Sequence, residues 1–277
     1  MIMSMRYIRR AIGVIVLLSI AVLWLLPLLW IISTSLRLPK ESFTLPPSFL
    51  PTQFHWENYR QVFAKLPFGR FFYNSFVVTF LGTLLQVAIS SMAAYAFARI
   101  PFKGSKVWFI VLLSGLMIPV QSTIVPKFLL MRNYKMLNTL SCLILPAMID
   151  PLSIFLLRQA MMTIPKSYDE AAYMDGAGRF RIFVSVILPM SSSSIAVVVA
   201  TRSLVLWNDF FQPLVFLSGN KCTTLPLGLT VLRGQMGNGS ISVVLAGVVL
   251  SFIAPLLLYV FAQKYLMSAT ILSGLKS

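Results

Sequence analysis

The residues best suited to chemistry lie in an apolar segment around position 200. Arg202 and Asp209 carry charge there, and Trp207, Asn208 and Gln212 add an aromatic ring and two amides. A charge in a membrane-spanning segment is costly, so a functional role is its default explanation. Amide and carboxylate groups hydrogen-bond hydroxyl groups, and an indole ring can stack on the flat face of a hydroxylated solute. Four residues are therefore candidates for lining a solute pathway: Trp207, Asn208, Asp209 and Gln212.

The alternative role for such polar residues is to join helices. Arg202 and Asp209 are seven residues apart, about two turns of a helix. That separation is too long for a direct pair within one helix, so we expect their partners on other helices. Asp150, in another apolar segment, is open to the same two interpretations. Lys127 stands near the end of a further segment and can extend its ammonium group to the interface.

Other kinds of chemistry have little support. His55 is the only histidine, and Cys142 and Cys222 have neither metal-site nor disulfide spacing. The sequence lacks HExxH and GxSxG motifs, so it offers no nucleophile, base or metal set for a membrane-embedded enzyme. It also lacks the phosphate-binding G-x-x-x-x-G-K-[ST] loop. We therefore expect no cofactor in this chain and no ATP bound through a phosphate-binding loop.

The composition indicates a membrane protein. Hydrophobic residues make up 58% of the 277 residues and charged residues 11%, whereas a soluble domain has about 25% charged residues. The excess of 23 basic over 7 acidic residues is also typical of nucleic-acid-binding proteins, which cluster basic residues on one face. Here the basic residues stand in short runs between apolar stretches. Membrane topology explains that pattern, so we expect membrane lipid around the chain and no nucleic acid.

Six apolar segments approach or exceed the roughly 20 residues that a membrane-spanning helix needs. They cover residues 11–36, 71–98, 107–126, 138–157, 191–217 and 234–263. The first follows three arginines, as in a signal peptide, but it is too long for that and no small-residue cleavage site closes it. It is predicted to be a retained helix. The sequence therefore predicts an all-α membrane protein with six transmembrane helices.

Basic residues are concentrated in segments that fall on one side of six alternating helices. These segments are the N-terminus, the loops after the second and fourth helices, and the tail, and they contain Arg6, Arg9, Arg10, Arg99, Lys103, Lys106, Arg158, Lys166, Arg179, Arg181, Lys264 and Lys276. This bias, although modest, predicts that both termini are cytoplasmic. On the opposite side, residues 35–70 are rich in proline and aromatic residues. They are predicted to form an ordered extracytoplasmic cap.

The loop between the fourth and fifth helices carries the clearest local signals. It reads IPKSYDEAAYMDGAGRFRIFVSVILP over residues 164–189. Ser167 and Glu170 have the S-x-x-E spacing of a capping box, which predicts the start of a helix. Gly176 can take the positive φ that ends a helix after about two turns. By spacing alone, this loop could equally be a capped hairpin at the membrane interface with no further role.

A second amphipathic helix is predicted to follow Gly176. Its apolar residues are expected on one side: Phe180, Phe183, Val184 and Ile187. Pro189 is expected to mark the turn into the next span. The loop is therefore predicted to be a short helix, a glycine break and another helix at the cytoplasmic surface.

The residues of this loop resemble the EAA motif of ABC importer permeases, whose consensus is close to EAA-x-x-x-G followed by I-x-L-P. The matching positions are Glu170, Ala171, Ala172, Asp175, Gly176, Leu188 and Pro189, with Ile187 one position nearer Leu188 than in the consensus. The match is long and falls on the predicted cytoplasmic side. The loop is thus identified as an EAA loop over about residues 163–189.

The resemblance extends to the carbohydrate-uptake branch of that family over about residues 70–276. It includes Leu157-Arg158, Ile164-Pro165, Ala94 to Arg99, Met117, Pro119, Gln121, Pro126, Trp207 to Phe211, Pro213-Leu214, Gln263 to Tyr265 and Gly274 to Lys276, and the last two are similar to the tail of the maltose-type small permease subunit. Two departures stand out. Ser191 to Ser194 replace a proline-containing sequence, and no small-residue ending precedes Lys276. They put in doubt the start of the fifth helix and any tail contact with ATPases.

The resemblance implies a type I ABC importer permease fold and a set of partners. These would be a second homologous permease, two copies of an ATP-binding subunit, and an extracytoplasmic sugar-binding protein. The ATPase-coupling residues would be Glu170, Ala171, Ala172, Asp175 and Gly176, with the short helix received by a cleft of the ATPase. The transported solute would be a sugar, and some relatives leave most sugar contacts to the partner permease.

The expected domain organisation follows the same resemblance. Residues 1–69 would form the first transmembrane helix and the extracytoplasmic segment, 70–265 the five-helix permease core, and 266–277 a cytoplasmic tail. Two alternatives remain open: a secondary transporter, or a permease for a non-sugar solute. A secondary transporter usually shows inverted repeats, and we find no convincing repeat in this sequence.

Overall fold

The computed structural model describes residues 2–38, 51, 53–219, 221–233 and 240–274. Every regular element within these ranges is helical. The α-helices are, in chain order, α1 (Ile2–Ser35), α2 (Glu57–Lys65), α3 (Phe68–Arg99), α4 (Ser105–Ser114), α5 (Ile124–Asn133), α6 (Ser141–Ala147), α7 (Pro151–Met162), α8 (Ser167–Met174), α9 (Arg179–Ile182), α10 (Leu188–Met190), α11 (Ser192–Trp207), α12 (Phe211–Phe216), α13 (Leu225–Leu232), α14 (Ile241–Ser251) and α15 (Ile253–Gly274).

When each bent helix pair is counted as one span, the described residues give six spans, as predicted, but the fifth covers Arg179–Trp207 and not 191–217. Three spans have no sharp bend and cover Ile12–Ser35, Phe68–Arg99 and Ile241–Lys264, the last of which comprises α14 and the first part of α15. The other three are helix pairs bent by 99°, 41° and 77°: Ser105–Met117 with Val120–Asn133, Ser141–Ala147 with Pro151–Met162, and Arg179–Met190 with Ser192–Trp207. The chain is therefore an all-α membrane protein in which half of the spans are broken.

Proline accounts for the position of two of these bends. Pro119 lies between two 3-10 turns, Gly115–Met117 and Val120–Thr123, with ψ of 137°. Pro151 is the first residue of α7. A proline has no N–H to donate and disfavours helical backbone in the residue before it. Such breaks are tolerated in membrane helices where neighbouring groups satisfy the freed backbone atoms.

The chain divides into two compact units. The first comprises Met1–Phe68 and Leu229–Phe252. In it α14 packs against both α1 and α2. Gly247 on α14 allows a close approach to the end of α13, because an added Cβ would lie 2.7 Å from a methyl carbon of Leu229.

The end of α1 is fixed by polar contacts within the first unit. The Asn58 side-chain amide donates to the carbonyl oxygens of Ser35 and Arg37, each at 2.8 Å. These bonds satisfy backbone acceptors that the end of a helix leaves unpaired. The described part of the predicted 35–70 cap is thus ordered, while residues 39–50 and 52 lie outside the described residues.

The second unit comprises Gly69–Gly228 and Ile253–Ser277. Within it α11 packs against α15 and α7. One apolar core joins the end of α3 to the segment 157–198, and it consists of Ala94, Tyr95, Leu157, Met161, Ile164, Ile182, Phe183, Ile187 and Val198. This core forms the base on which the loop 164–189 rests.

Candidate functional site: a short helix fixed to two helix ends

The helix α8 carries the predicted coupling residues and ends as expected. The Gly176 N–H donates to the Tyr173 carbonyl at 3.0 Å, and the Ala177 N–H donates to the Ala172 carbonyl at 2.9 Å. This pair of bonds is the Schellman motif, which places the residue after the helix in left-handed backbone. Gly176 has a φ of 78°. The predicted two-turn helix that stops at Gly176 is confirmed.

The predicted coupling residues differ in their exposure. Glu170, Ala171, Asp175 and Gly176 are exposed, whereas Ala172 is half-buried and packs against the apolar core. Large side chains share the exposed surface of α8, since Tyr168 and Tyr173 are each 49% exposed and Met174 is 88% exposed. One side of α8 is therefore packed, and the rest presents aromatic, apolar and acidic groups outward.

The predicted capping box is wrong. Lys166, not Ser167, is the N-cap residue, and no side-chain cap bond is found at this end of α8 within the described ranges. Lys166 already has helical φ and ψ of −66° and −20°. The Glu170 N–H then bonds to the Lys166 carbonyl at 3.1 Å. The helix starts one residue too early for the Ser167 hydroxyl to cap it.

The predicted apolar face of the second helix is only half correct. Phe183 and Ile187 are buried, but Phe180 is 73% exposed and Val184 is 46% exposed. Val184 lies in a π-helical segment, Phe183–Ile187, between α9 and α10, whereas Phe180 precedes this segment. The wider turn of this segment changes which positions share a face. The chain then bends at Ser191, two residues after Pro189, close to the predicted turn.

The contacts of Arg99 were not predicted from the sequence. It is the last residue of α3, and its side chain is 5% exposed. Its Nη2 donates to the carbonyl oxygens of Met161 and Ile164, both at 2.7 Å. Its Nη1 lies 2.9 Å from Oδ2 of Asp169, in the first turn of α8. One guanidinium thus holds the end of α7 and the start of α8 against the end of α3.

Three further contacts join the end of α3 to this region. The Tyr95 hydroxyl donates to the carbonyl of Arg179, the first residue of α9, at 3.1 Å. The Tyr95 and Phe183 rings lie 5.1 Å apart. Arg158, on α7, donates to the Phe97 carbonyl at 3.2 Å. The loop 164–189 therefore has fixed contacts to α3 on both sides of Gly176.

The pathway candidates lie at the junction of α11 and α12, where they separate into two environments. Trp207 is 5% exposed and packs edge-to-face on Phe72, with ring centroids 5.3 Å apart. It lines a cleft of about 860 Å³ between α3, α11 and α15. This cleft is mostly apolar, with hydroxyl groups from Thr79 and Ser203 among its lining side chains.

The other three pathway candidates form local bonds. The exposed Asn208 amide donates to the Leu204 carbonyl at 2.9 Å within its own helix. An Asp209 carboxylate oxygen accepts from the Gln212 backbone N–H at 3.3 Å. Asn208, Asp209 and Gln212 lie near one another because they are close in the sequence. They are not among the residues that line the cleft beside Trp207.

No metal-binding group is apparent at this site. Among the residues that the structure describes, no cluster of three His, Cys, Asp or Glu side chains could hold a metal ion. The lysine of the predicted tail contact, Lys276, lies outside the described residues.

Broken membrane spans and a short, exposed helix fixed against the ends of neighbouring helices define a polytopic membrane protein. The chain belongs to the family of binding-protein-dependent transport system inner membrane components, whose model matches residues 86–268. This match covers the predicted coupling loop, the pathway candidates and Arg99.

Known proteins with similar sequences and structures agree with this assignment. The chain is 33% identical over 262 residues to the arabinooligosaccharides transport system permease protein AraQ of Halalkalibacterium halodurans, with 93% of each chain covered. It is 32% identical over 253 residues to the diacetylchitobiose uptake system permease protein NgcG of Streptomyces coelicolor, covering 89% of this chain and 83% of that protein.

A solved structure gives the fold independently. One chain of a bacterial ABC transporter involved in the import of the acidic polysaccharide alginate superposes with a TM-score of 0.81. The two chains are 22% identical, and the superposition covers 94% of this chain and 97% of the other. The predicted type I ABC importer permease fold is thereby confirmed.

Proposed function

We propose that this chain is one of two permease subunits of an ATP-driven, binding-protein-dependent importer of oligosaccharides. It pairs with a second homologous permease, with two copies of an ATP-binding subunit beneath them and an extracytoplasmic sugar-binding protein above. Both termini face the cytoplasm. The chain forms half of the translocation pathway and hydrolyses no ATP itself.

The observation that carries this proposal is the geometry of α8. A two-turn helix is isolated by a Schellman motif at Gly176, packed on one side by Ala172, and exposed on the other. A helix that only lay at the interface would need no buried arginine to fix its start. A helix that receives force from another subunit does, because a loosely held one would move without moving the spans.

The coupling residues have distinct roles in this proposal. Glu170 makes a charge-assisted contact to a basic group of the ATP-binding subunit, while Ala171 and Ala172 keep the helix slim enough to enter a cleft. Asp175 and Gly176 end the helix and turn the chain away. Tyr168, Tyr173 and Met174 supply the apolar contact area around the charged contact.

The substrate class rests on the relatives. AraQ carries arabinooligosaccharides and NgcG diacetylchitobiose by name, and both align with nearly the whole chain. In this proposal Trp207, which lines the cleft, offers the edge of its ring to a sugar, and Asn208, Asp209 and Gln212, which follow α11 in the sequence, supply hydrogen-bonding groups. The binding protein selects the sugar, and these residues contact it during passage.

The test is reconstitution with one component left out at a time. The complete set of permeases, ATP-binding subunits and binding protein is expected to take up labelled oligosaccharide into proteoliposomes only with ATP. Omission of any component should abolish uptake. Transport by this chain alone, without ATP, would identify a secondary transporter instead. A panel of solutes tests the substrate class. If the complete transporter takes up non-sugar solutes but no mono- or oligosaccharide, the permease assignment stands and the proposal of a sugar substrate is wrong.

A further inference from the structure

The buried guanidinium of Arg99 has acceptors on two other helices. A charged group removed from water must be paired and hydrogen-bonded, or its burial is strongly unfavourable. Arg99 meets this condition through Nη1 and Nη2, with two carbonyl oxygens at 2.7 Å and an ion pair to a carboxylate oxygen at 2.9 Å, while its buried Nε has no hydrogen-bond partner among the described residues. No single helix provides all three of these contacts, so Arg99 makes them only when three helix ends are together.

The three contacts also suit the electrostatics of the helix ends. Met161 and Ile164 lie at the end of α7, where unpaired carbonyls and the helix dipole favour a cation. Asp169 lies in the first turn of α8, where the dipole favours an anion. The planar fork of arginine can reach several acceptors at once, which the compact ammonium of lysine does less well.

We propose that Arg99 is a positioning residue that makes α3 and α8 move as one body during the transport cycle. This inference rests on the proposed function. Motion imposed on α8 by an ATP-binding subunit passes directly to the end of α3 through Arg99 and Asp169, as well as along the chain through α9 into α11. Tyr95 extends the same connection to the start of α9.

The first test is functional and uses Asp169→Asn, which removes the ion pair and leaves both carbonyl bonds in place. We expect the complex to assemble with normal amounts of ATP-binding subunit. Sugar taken up per ATP hydrolysed should fall roughly tenfold, equivalent to about 1.4 kcal/mol. The sugar taken up per ATP should fall further in Arg99→Gln. Arg99→Lys should retain part of the uptake per ATP that Arg99→Gln loses. The matched control is Arg60→Gln, which breaks an exposed ion pair to Glu57 elsewhere in the chain.

The second test measures the rigid connection itself. Spin labels are attached to cysteines at Met92 on α3 and Ser167 on α8, both exposed, after replacement of Cys142 and Cys222. We expect one narrow distance that is the same with and without ATP. In Asp169→Asn and Arg99→Gln the distance should broaden and depend on ATP. These readouts would not respond to a role in folding alone.

The outcomes separate the two proposals. A label distance that changes with ATP while Arg99 and Asp169 are both intact overturns the positioning role, and so does normal uptake per ATP in Arg99→Gln. If no ATP-binding subunit copurifies with the unsubstituted chain, the proposed function fails, whatever Arg99 does.

Discussion

Nη1 of Arg202 lies 3.5 Å from Oδ1 of Asp150, so two charges from different membrane spans form a pair. Their side chains are 20% and 14% exposed. The other Asp150 carboxylate oxygen accepts from the Ser153 backbone N–H at 2.9 Å and caps α7. One carboxylate therefore both starts α7 and joins it to α11. For these two residues, the role of joining helices is favoured over that of lining a pathway.

This pair predicts a specific pattern of stability. Arg202→Met leaves the Asp150 charge unpaired, and we expect it to cost about 1–3 kcal/mol. Asp150→Asn keeps a capping group for α7 but leaves the Arg202 charge without its ion-pair partner. The double variant should be more stable than Arg202→Met alone, since neither charge remains. Thermal unfolding of the purified complex measures the three variants, and strictly additive losses would contradict the pair.

Substitution of Gly176 is predicted to have a much larger effect than substitution of the nearby Gly178. An added Cβ meets no atom within 4 Å at Gly176 or at Gly178. Only Gly176 has left-handed backbone, which costs other residues about 1–2 kcal/mol. Gly176→Ala should therefore weaken association with the ATP-binding subunit, and Gly176→Val more so. Copurification measures this, with Gly178→Ala as the matched control that should be near normal.

Substitution of Glu170 is predicted to weaken assembly with the ATP-binding subunit and to leave the fold of the chain unchanged. Its side chain is exposed, so Glu170→Ala removes no buried group. A charge-assisted contact to the ATP-binding subunit is worth about 1.5–3 kcal/mol. Its loss should lower the affinity roughly ten- to a hundredfold. The control is Glu57→Ala, which removes an exposed glutamate from the first turn of α2. Normal ATP-coupled uptake in Glu170→Ala would reject the proposed contact.

Substitution of Asn208 is predicted to reduce transport while the complex remains assembled. Its amide bonds only to a carbonyl of its own helix in the described structure, so Asn208→Leu should cost little stability. If the amide contacts sugar in passage, uptake should fall while ATP-binding subunit still copurifies. Ser114→Ala is the control, because the Ser114 hydroxyl also bonds within its own helix and is exposed. A complex that falls apart in Asn208→Leu would instead show that Asn208 joins helices.

The sequence was sufficient where the determinants are local. Span positions follow from long apolar runs except for the fifth span, which covers Arg179–Trp207 and not 191–217. The end of α8 follows from a glycine at the required offset. The partner of Arg202 was expected on another helix, but its identity depends on how α7 and α11 pack. Arg99 and Asp169 are 70 positions apart in the sequence, so no periodicity connects them.

Two local predictions failed for a reason that the sequence does not display. The capping box requires extended backbone at Ser167, and the chain enters helical backbone at Lys166 instead. The predicted apolar position of Val184 assumes a regular α-helix, and Val184 lies in the π-helical segment Phe183–Ile187, where the register changes. In both cases the spacing rules assume an ideal backbone that the chain does not have.

The most direct test of the central claim is a photocross-link from α8. Tyr173, 49% exposed on α8, is replaced by a benzoylphenylalanine residue in the assembled transporter, and Tyr134, 66% exposed, is replaced in the same way as a control. We expect illumination to join position 173 to the ATP-binding subunit and position 134 to remain unjoined to it. A complex that retains ATP-dependent uptake, but gives no adduct at position 173 or an equal one at 134, would show that α8 is not the docking element.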